Sequence, residues 1–214
     1  MQKLVLLLIP ILILFACTNE QPISNDAASN KDEPTVSEGL PLEKANDLRQ
    51  FFMADQASAN FIGEGNEYAS YTLKTVHLSD NYVVTYENNG GTVLQRIYKI
   101  TDEKVSILAE NEEAYDEKTP TLEELNTMQE KKIYLVAPLT VGSEFGGWKV
   151  TSTTETIKTN VQTFTDVIVI EKIDEQNTIV RKYFAKDFGE IKREFIMNIE
   201  GEETIISSTI DQIS

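Results

Sequence analysis

The sequence predicts a mainly β fold: an antiparallel meander of about nine or ten strands, forming a curved sheet or half-barrel, with one short helix. From Phe51 onward, stretches rich in β-branched and aromatic residues alternate with turn signals, which is the pattern of a meander. One of these signals, residues 88–91 (NNGG), is typical of a hairpin because Asn and Gly accept positive φ.

Nine stretches carry the strand pattern. They are residues 68–78, 82–87, 92–100, 105–109, 149–158, 164–173, 178–186, 190–199 and 203–213. Within 190–199, apolar residues from Ile191 to Ile199 alternate with Lys192, Glu194 and Asn198, as in a sheet with one solvated face. Arg193 is the exception, because it falls on the apolar face.

The helix is predicted from Thr121 to Lys132. Thr121 and Glu124 have the spacing of a capping box, and an apolar stripe that includes Leu125 follows. Lys131 and Lys132 fall in the last turn, where the helix dipole favours cations.

Residues 1–16 predict a lipoprotein signal peptide. Lys3 supplies positive charge, and residues 4–15 form an apolar run that is shorter than the roughly 20 residues needed to span a membrane. Pro10 within the run also disfavours a permanent membrane helix.

Cys17, the chain's single cysteine, follows this run directly in Leu14-Phe15-Ala16-Cys17. These residues resemble the lipobox of bacterial lipoproteins, although Phe15 is bulkier than that pattern usually has. The resemblance implies cleavage before Cys17 and a lipid anchor on its sulfur, in which each buried CH₂ contributes roughly 0.8 kcal/mol. The alternative is a secreted protein whose cysteine is a remnant near the cleavage site. We predict lipidation, which leaves no thiol for a disulfide in the domain.

Composition predicts two further segments, and the net charge limits the possible partners. Residues 17–40 are predicted to be the lipidated cysteine and a disordered tether, because 18–40 lacks aromatic residues and is rich in polar ones. Residues 41–214 are predicted to form a single β-rich domain, with one or two helical turns at 41–50. The net charge of −16 predicts no nucleic-acid binding and no electrostatic docking on the membrane.

Enzyme signatures are weak, and no catalytic residue is predicted. His77 is the only histidine and lies within a strand pattern, where a structural role is the commoner one. With one histidine and a lipidated cysteine no zinc site can be assembled, and neither a metal nor a cofactor is predicted. The acidic stretch 110–117 lacks the EF-hand spacing, which leaves weak calcium binding open beside the default of a solvated loop.

The aromatic residues are spread through the predicted strands. We expect them to form core and cross-strand pairs. The alternative is that a curved sheet leaves an apolar cleft for a lipid or a peptide.

Three stretches, residues 63–71 (GEGNEYASY), 89–94 (NGGTVL) and 183–194 (YFAKDFGEIKRE), resemble a domain of uncharacterised cell-envelope lipoproteins of Firmicutes. Residues 137–139 (APL), Gly142 and Trp148 also match that family, whereas 159–164 lacks the family's Pro and Gly. The resemblance covers most of residues 51–213. It implies an envelope location and a β-rich domain, and it supplies no catalytic residues.

Two functions of different classes are open. The first is a membrane-anchored lipoprotein whose domain is a non-catalytic binding or structural module at the outer face of the cytoplasmic membrane. Its partner would be an envelope protein, a peptide or a lipid. The second is a cell-wall glycan hydrolase with a carboxylate pair, and a sporulation- or germination-related envelope protein is a further alternative. Two facing acids about 5–10 Å apart in a cleft would favour the hydrolase.

Overall fold

The computed structural model describes residues 47–199 and 201–214. The predicted signal peptide (1–16), Cys17 and the tether (17–40) lie outside the described residues. Of the predicted helical turns at 41–50, the part from Asp47 is described, and Leu48–Phe51 forms a 3₁₀ helix capped by the Asp47 side chain. Within the described ranges, no helix is long and apolar enough to cross a membrane.

The described residues form twelve strands in one antiparallel sheet. The strands are β1 (Ser58–Glu64), β2 (Tyr71–Ser79), β3 (Tyr82–Asn88), β4 (Val93–Ile100), β5 (Lys104–Asn111), β6 (Lys132–Val136), β7 (Glu144–Phe145), β8 (Trp148–Lys158), β9 (Thr163–Ile173), β10 (Ile179–Ala185), β11 (Gly189–Ile199) and β12 (Glu202–Ile213). Their order in the sheet is β6-β5-β4-β3-β2-β1-β12-β11-β10-β9-β8-β7. The chain thus runs outwards from β1 to one edge, continues at the other edge, and returns to β12 beside β1. The edge strands β6 and β7 contact each other, so the sheet is nearly closed into a barrel.

The predicted fold class is confirmed, since the domain is mainly β, antiparallel and curved, with one short helix. Strands β2–β5 and β8–β12 correspond to the nine predicted ones. Sequence reasoning missed β1, β6 and β7. Strand β1 contains Asn60 and Gly63, which weaken a strand pattern. Strand β6 begins at Lys132, within the predicted helix, and β7 has only two residues.

The helix, α1 (Leu122–Thr127), is shorter than predicted. Its start has the predicted capping box, because Thr121 and Glu124 exchange side-chain and backbone hydrogen bonds. The helix ends because Met128 has extended backbone angles, so the lysines predicted for its last turn lie beyond it. Leu125 is 1% exposed and packs against apolar side chains of β3–β5.

The predicted alternation of β11 is wrong at two positions. Glu194, expected on the solvated face, is 9% exposed, whereas Ile199, expected on the apolar face, is 51% exposed. A register shift leaves Ile191 without a partner on β10, and both Glu190 and Ile191 are buried. The bulge changes which residues before Lys192 face inwards. The register from Lys192 to Ile199 is regular, so Ile199 is exposed because it lies at the end of the strand, opposite Glu202, and Glu194 is covered by Arg181, Tyr183 and Lys192.

Aromatic rings pack together inside the curved sheet. The Phe52 ring meets Tyr98 at a centroid distance of 5.1 Å, and Tyr134 lies 5.0 Å from Tyr98 and 5.7 Å from Phe184. These residues come from the segment before β1 and from β4, β6 and β10, so the rings join the two halves of the sheet. The expectation of aromatic core pairs is confirmed for these residues, and such pairs contribute about 0.5–1.5 kcal/mol each beyond their burial.

Candidate functional site

Five charged side chains converge inside the curved sheet. They are Glu87 on β3, Arg96 on β4, Lys182 on β10, and Glu190 and Arg193 on β11. Their side chains are between 6% and 18% exposed. Strands β3 and β4 belong to one half of the sheet and β10 and β11 to the other, so the curvature of the sheet brings this ion network together.

Arg193 joins the two halves. Its Nε donates to Glu190 Oε1 at 2.5 Å, and its Nη1 and Nη2 lie 3.3 and 3.2 Å from the two oxygens of Glu87, 106 residues away in the chain. Its guanidinium carbon also lies 5.4 Å from the centroid of the Tyr71 ring. Every nitrogen of this guanidinium therefore faces a carboxylate, a geometry that suits arginine better than lysine.

Glu87 is held by two arginines. Besides Arg193, Arg96 donates from Nη1 to Glu87 Oε2 at 2.7 Å and from Nε to Glu110 at 3.3 Å. Burial opposes the ionisation of Glu87, but Arg193 and Arg96 outweigh it and lower the pKa of Glu87 to about 2. Glu87 is therefore a carboxylate at neutral pH.

Lys182 completes the network. Its Nζ lies 2.7 Å from Glu190 Oε2, 5.3 Å from the centroid of the Tyr134 ring and 5.6 Å from that of Trp148. Burial lowers the pKa of Lys182, and its pair with Glu190 offsets this only in part. Burial opposes the ionisation of Glu190 as well, but Arg193 and Lys182 prevail and lower its pKa.

Two openings border this network, and Glu87 and Arg193 line both of them. The first is a cavity of about 40 Å³ between the charges and the aromatic rings. The second is a groove of about 220 Å³, whose apolar lining includes Tyr68, Phe195 and Ile206.

The arrangement is suited to holding charges and poorly suited to proton transfer. Glu87 and Glu190 are largely buried and both bind Arg193, so they are one candidate for the carboxylate pair of the hydrolase alternative. Such an enzyme needs one carboxylic acid with a raised pKa as proton donor. Here the pKa values of Glu87 and Glu190 are both lowered, so neither holds a proton at neutral pH.

His77 makes contacts that indicate a structural role. Its Nε2 lies 2.8 Å from the carbonyl oxygen of Met53, and its backbone N–H donates to Asp55 at 2.8 Å. The side chain thus holds the segment before β1 against β2.

In the acidic stretch 110–117, the three described ion pairs are with cations of the protein itself. Glu110 contacts Arg96 and Lys132, and Glu117 lies 2.7 Å from Lys74. Over residues 47–199 and 201–214, no group of three or more His, Cys, Asp or Glu side chains could hold a metal ion.

Sequence reasoning did not identify the five network residues as a site. A signal was present for Arg193, which interrupts the apolar face of its strand. The other four occupy strand positions where a charge usually indicates a solvated face. Only the near closure of the sheet shows that they are buried.

A row of four isoleucines crosses strands β9–β12 on one face of the sheet. Ile173, Ile179, Ile196 and Ile205 are successive cross-strand partners and therefore project from one face of the sheet. Ile173 is 68% exposed and Ile205 is 44% exposed, and Ile179 and Ile196 between them are half-buried. Aligned exposed apolar residues of this kind are typical of contact surfaces.

No protein-family model matches the chain, and no curated protein sequence is significantly similar to it. A solved structure with a similar arrangement is that of a Bacteroides fragilis protein with a YmcC-like fold, described as exported. The two have a TM-score of 0.48 and 14% sequence identity, over 77% of this chain and 98% of the other. The resemblance to Firmicutes lipoproteins stays a prediction.

Proposed function

We propose that this chain is a membrane-anchored bacterial lipoprotein whose β domain is a non-catalytic binding or structural module at the outer face of the cytoplasmic membrane. The anchor is supported by the lipobox-like residues that end at Cys17 and the apolar run before them. The non-catalytic role is supported by the ion network, whose carboxylates are all paired with cations. The exposed isoleucine row supports binding to an envelope protein.

Replacing Cys17 by alanine is expected to release the protein from the membrane fraction and to abolish its labelling by radioactive palmitate. The physical reason is that the acyl chains on this sulfur supply the anchoring energy, and the acidic domain adds no electrostatic attraction to lipid. Fractionation of cells and fluorography measure the two effects.

Ser24→Ala, a change in the same polar segment, serves as the matched control and should leave both readouts unchanged. The anchor is wrong if Cys17→Ala stays in the membrane fraction while the natural chain takes up no palmitate.

The hydrolase alternative makes a separate prediction. We expect no release of reducing sugar from purified peptidoglycan, because Glu87 and Glu190 are both ionised and paired. The assay compares the natural chain with Glu190→Gln. Release by the natural chain that Glu190→Gln abolishes would contradict the non-catalytic role and support the hydrolase.

A further inference from the structure

The isoleucine row, formed by Ile173, Ile179, Ile196 and Ile205, has a limited size. Neighbouring strands lie about 4.8 Å apart, so the four side chains span about 14 Å. Two of the four are half-buried, so the row presents less apolar surface than the roughly 800 Å² that each partner buries in a standard interface. It therefore suits one element of a partner better than a whole protein face.

The border of the row towards the middle of the strands has balanced charges. Glu171, Arg181 and Glu194 are cross-strand partners on the same face, two residues in from the isoleucines. Arg181 lies 2.5 Å from Glu171 and 3.2 Å from Glu194, and Lys192 lies 2.7 Å from Glu194. The two cations of this border are thus already paired with carboxylates of the chain.

The opposite border, towards the strand ends, is acidic. Glu203 lies two residues before Ile205 on β12 and therefore shares its face, and Glu175 lies in the turn that follows Ile173. Both are exposed, and in the part of the chain that the structure describes neither takes part in an ion pair. This border therefore carries negative charge that the domain itself does not compensate.

The charge of the two borders selects among possible occupants. An anionic lipid surface is disfavoured, because the acidic border and the net charge of −16 repel it. A second copy of the chain brings the same charge, and its Arg181 and Lys192 are already paired. A partner with cations beside an apolar stripe complements both features of the surface.

The length of the row fits an α-helix. A helix rises 1.5 Å per residue, so about ten residues, or three turns, cover about 14 Å. Its apolar stripe presents a side chain about every 5.4 Å, close to the spacing of the isoleucines. A strand is less suited, because strands pair at the edge of a sheet and not on its face.

We propose that the isoleucine row binds an amphipathic helix of a partner protein, with lysines or arginines along one side of its apolar stripe. The stripe packs on the four isoleucines, and the cations lie against Glu175 and Glu203. This inference rests on the proposed role as a binding module and specifies the partner. The palmitate and peptidoglycan assays do not involve the row, so this inference and the proposed function can fail separately.

Two synthetic helical peptides test the proposal. They share one leucine stripe, which is bordered on one side by lysines in the first peptide and by glutamates in the second. Fluorescence anisotropy measures their binding to the full chain in phosphatidylcholine nanodiscs, with empty nanodiscs as the blank. We expect the lysine peptide to bind about tenfold or more tightly than the glutamate peptide.

Ile205→Ser tests the apolar contact. It should weaken binding of the lysine peptide about tenfold, because it removes an apolar side chain from the contact. Ile213→Ser is the matched control, since it makes the same replacement at a residue that is 40% exposed at the other end of β12. We expect it to leave the affinity unchanged.

Glu203→Lys tests the charge complementarity. It should weaken binding of the lysine peptide and strengthen that of the glutamate peptide, because the sign of the acidic border changes. Glu155→Lys, the same change at an exposed position on β8, should leave the order of the two affinities as it is in the natural chain.

Several results would overturn the proposal. Equal binding of the two peptides would remove the basic partner, and binding that Ile205→Ser leaves intact would place the contact elsewhere. Self-association of the natural chain that Ile205→Ser abolishes would assign the row to a second copy. Binding to phosphatidylglycerol vesicles that the same change abolishes would assign it to a lipid surface.

Discussion

Replacing Arg193 by methionine is expected to lower the free energy of unfolding by about 3–5 kcal/mol, the largest effect of any single change in the network. Methionine has a similar length but no charge, so the buried carboxylates of Glu87 and Glu190 would lose a shared partner. Glu87 would keep Arg96 and Glu190 would keep Lys182, but both carboxylates would lose the hydrogen bonds of the guanidinium while staying buried, and removing one member of a buried ion network is strongly destabilising. Urea unfolding followed by circular dichroism measures the change.

Arg49→Met is the matched control, since it makes the same replacement at an arginine that is 40% exposed and pairs with Asp47 at 2.9 Å. We expect it to cost less than about 1 kcal/mol. Adding Glu190→Leu to Arg193→Met should lower the stability further, because it leaves the buried ammonium of Lys182 without its carboxylate. An equal cost for the two arginine changes would contradict the role of the network in the fold.

The free energy of unfolding of the domain is expected to fall with pH over the range in which Glu87 becomes protonated. The pKa of Glu87 is about 2 in the folded chain, below its ordinary value of 4.5. A carboxylate with a depressed folded pKa stabilises the folded state above its unfolded pKa, and the gain is lost as the pH falls towards the folded pKa. At 1.36 kcal/mol for each pKa unit, the free energy of unfolding should fall by about 3 kcal/mol between about pH 4.5 and pH 2.

The measurement is a series of urea unfolding curves from pH 6 to pH 2, for the natural chain and for Glu87→Gln. The variant should be less stable at pH 6 and should show a shallower decline, because the titrating group is gone. Glu155→Gln, an exposed change on β8, should leave the slope unchanged. A slope that Glu87→Gln does not alter would assign the acid sensitivity to other carboxylates.

Local features of the fold were predictable from neighbouring residues. The NNGG turn separates β3 from β4 as expected, and the capping box at Thr121 starts α1. Both depend on hydrogen bonds and backbone angles within a few residues, which a short window of sequence contains. The end of α1 was mispredicted because β6 takes Lys132 as its first residue, and pairing with β5 overrides a local preference for helix.

The candidate site could not be predicted from the sequence, because it too depends on contacts between distant residues. Arg193 and Glu87 interact across 106 residues, and nothing near either residue indicates the other. Alternation along a strand shows that two faces differ, but it does not show which face the rest of the sheet will cover. In β11 a bulge at Ile191 changes the alternation as well, so Glu190 and Arg193 both reach the ion network.

The sequence by itself determined that the domain is mainly β with one short helix, because turn and strand signals are local. It also carries the lipobox-like residues before Cys17 from which the anchor is proposed, and these require no folded neighbour. Only the tertiary structure decided that β6 and β7 meet and that five charges are buried together. The burial of a charge depends on segments far away in the chain, and in this domain the curvature of the twelve-stranded sheet supplies them.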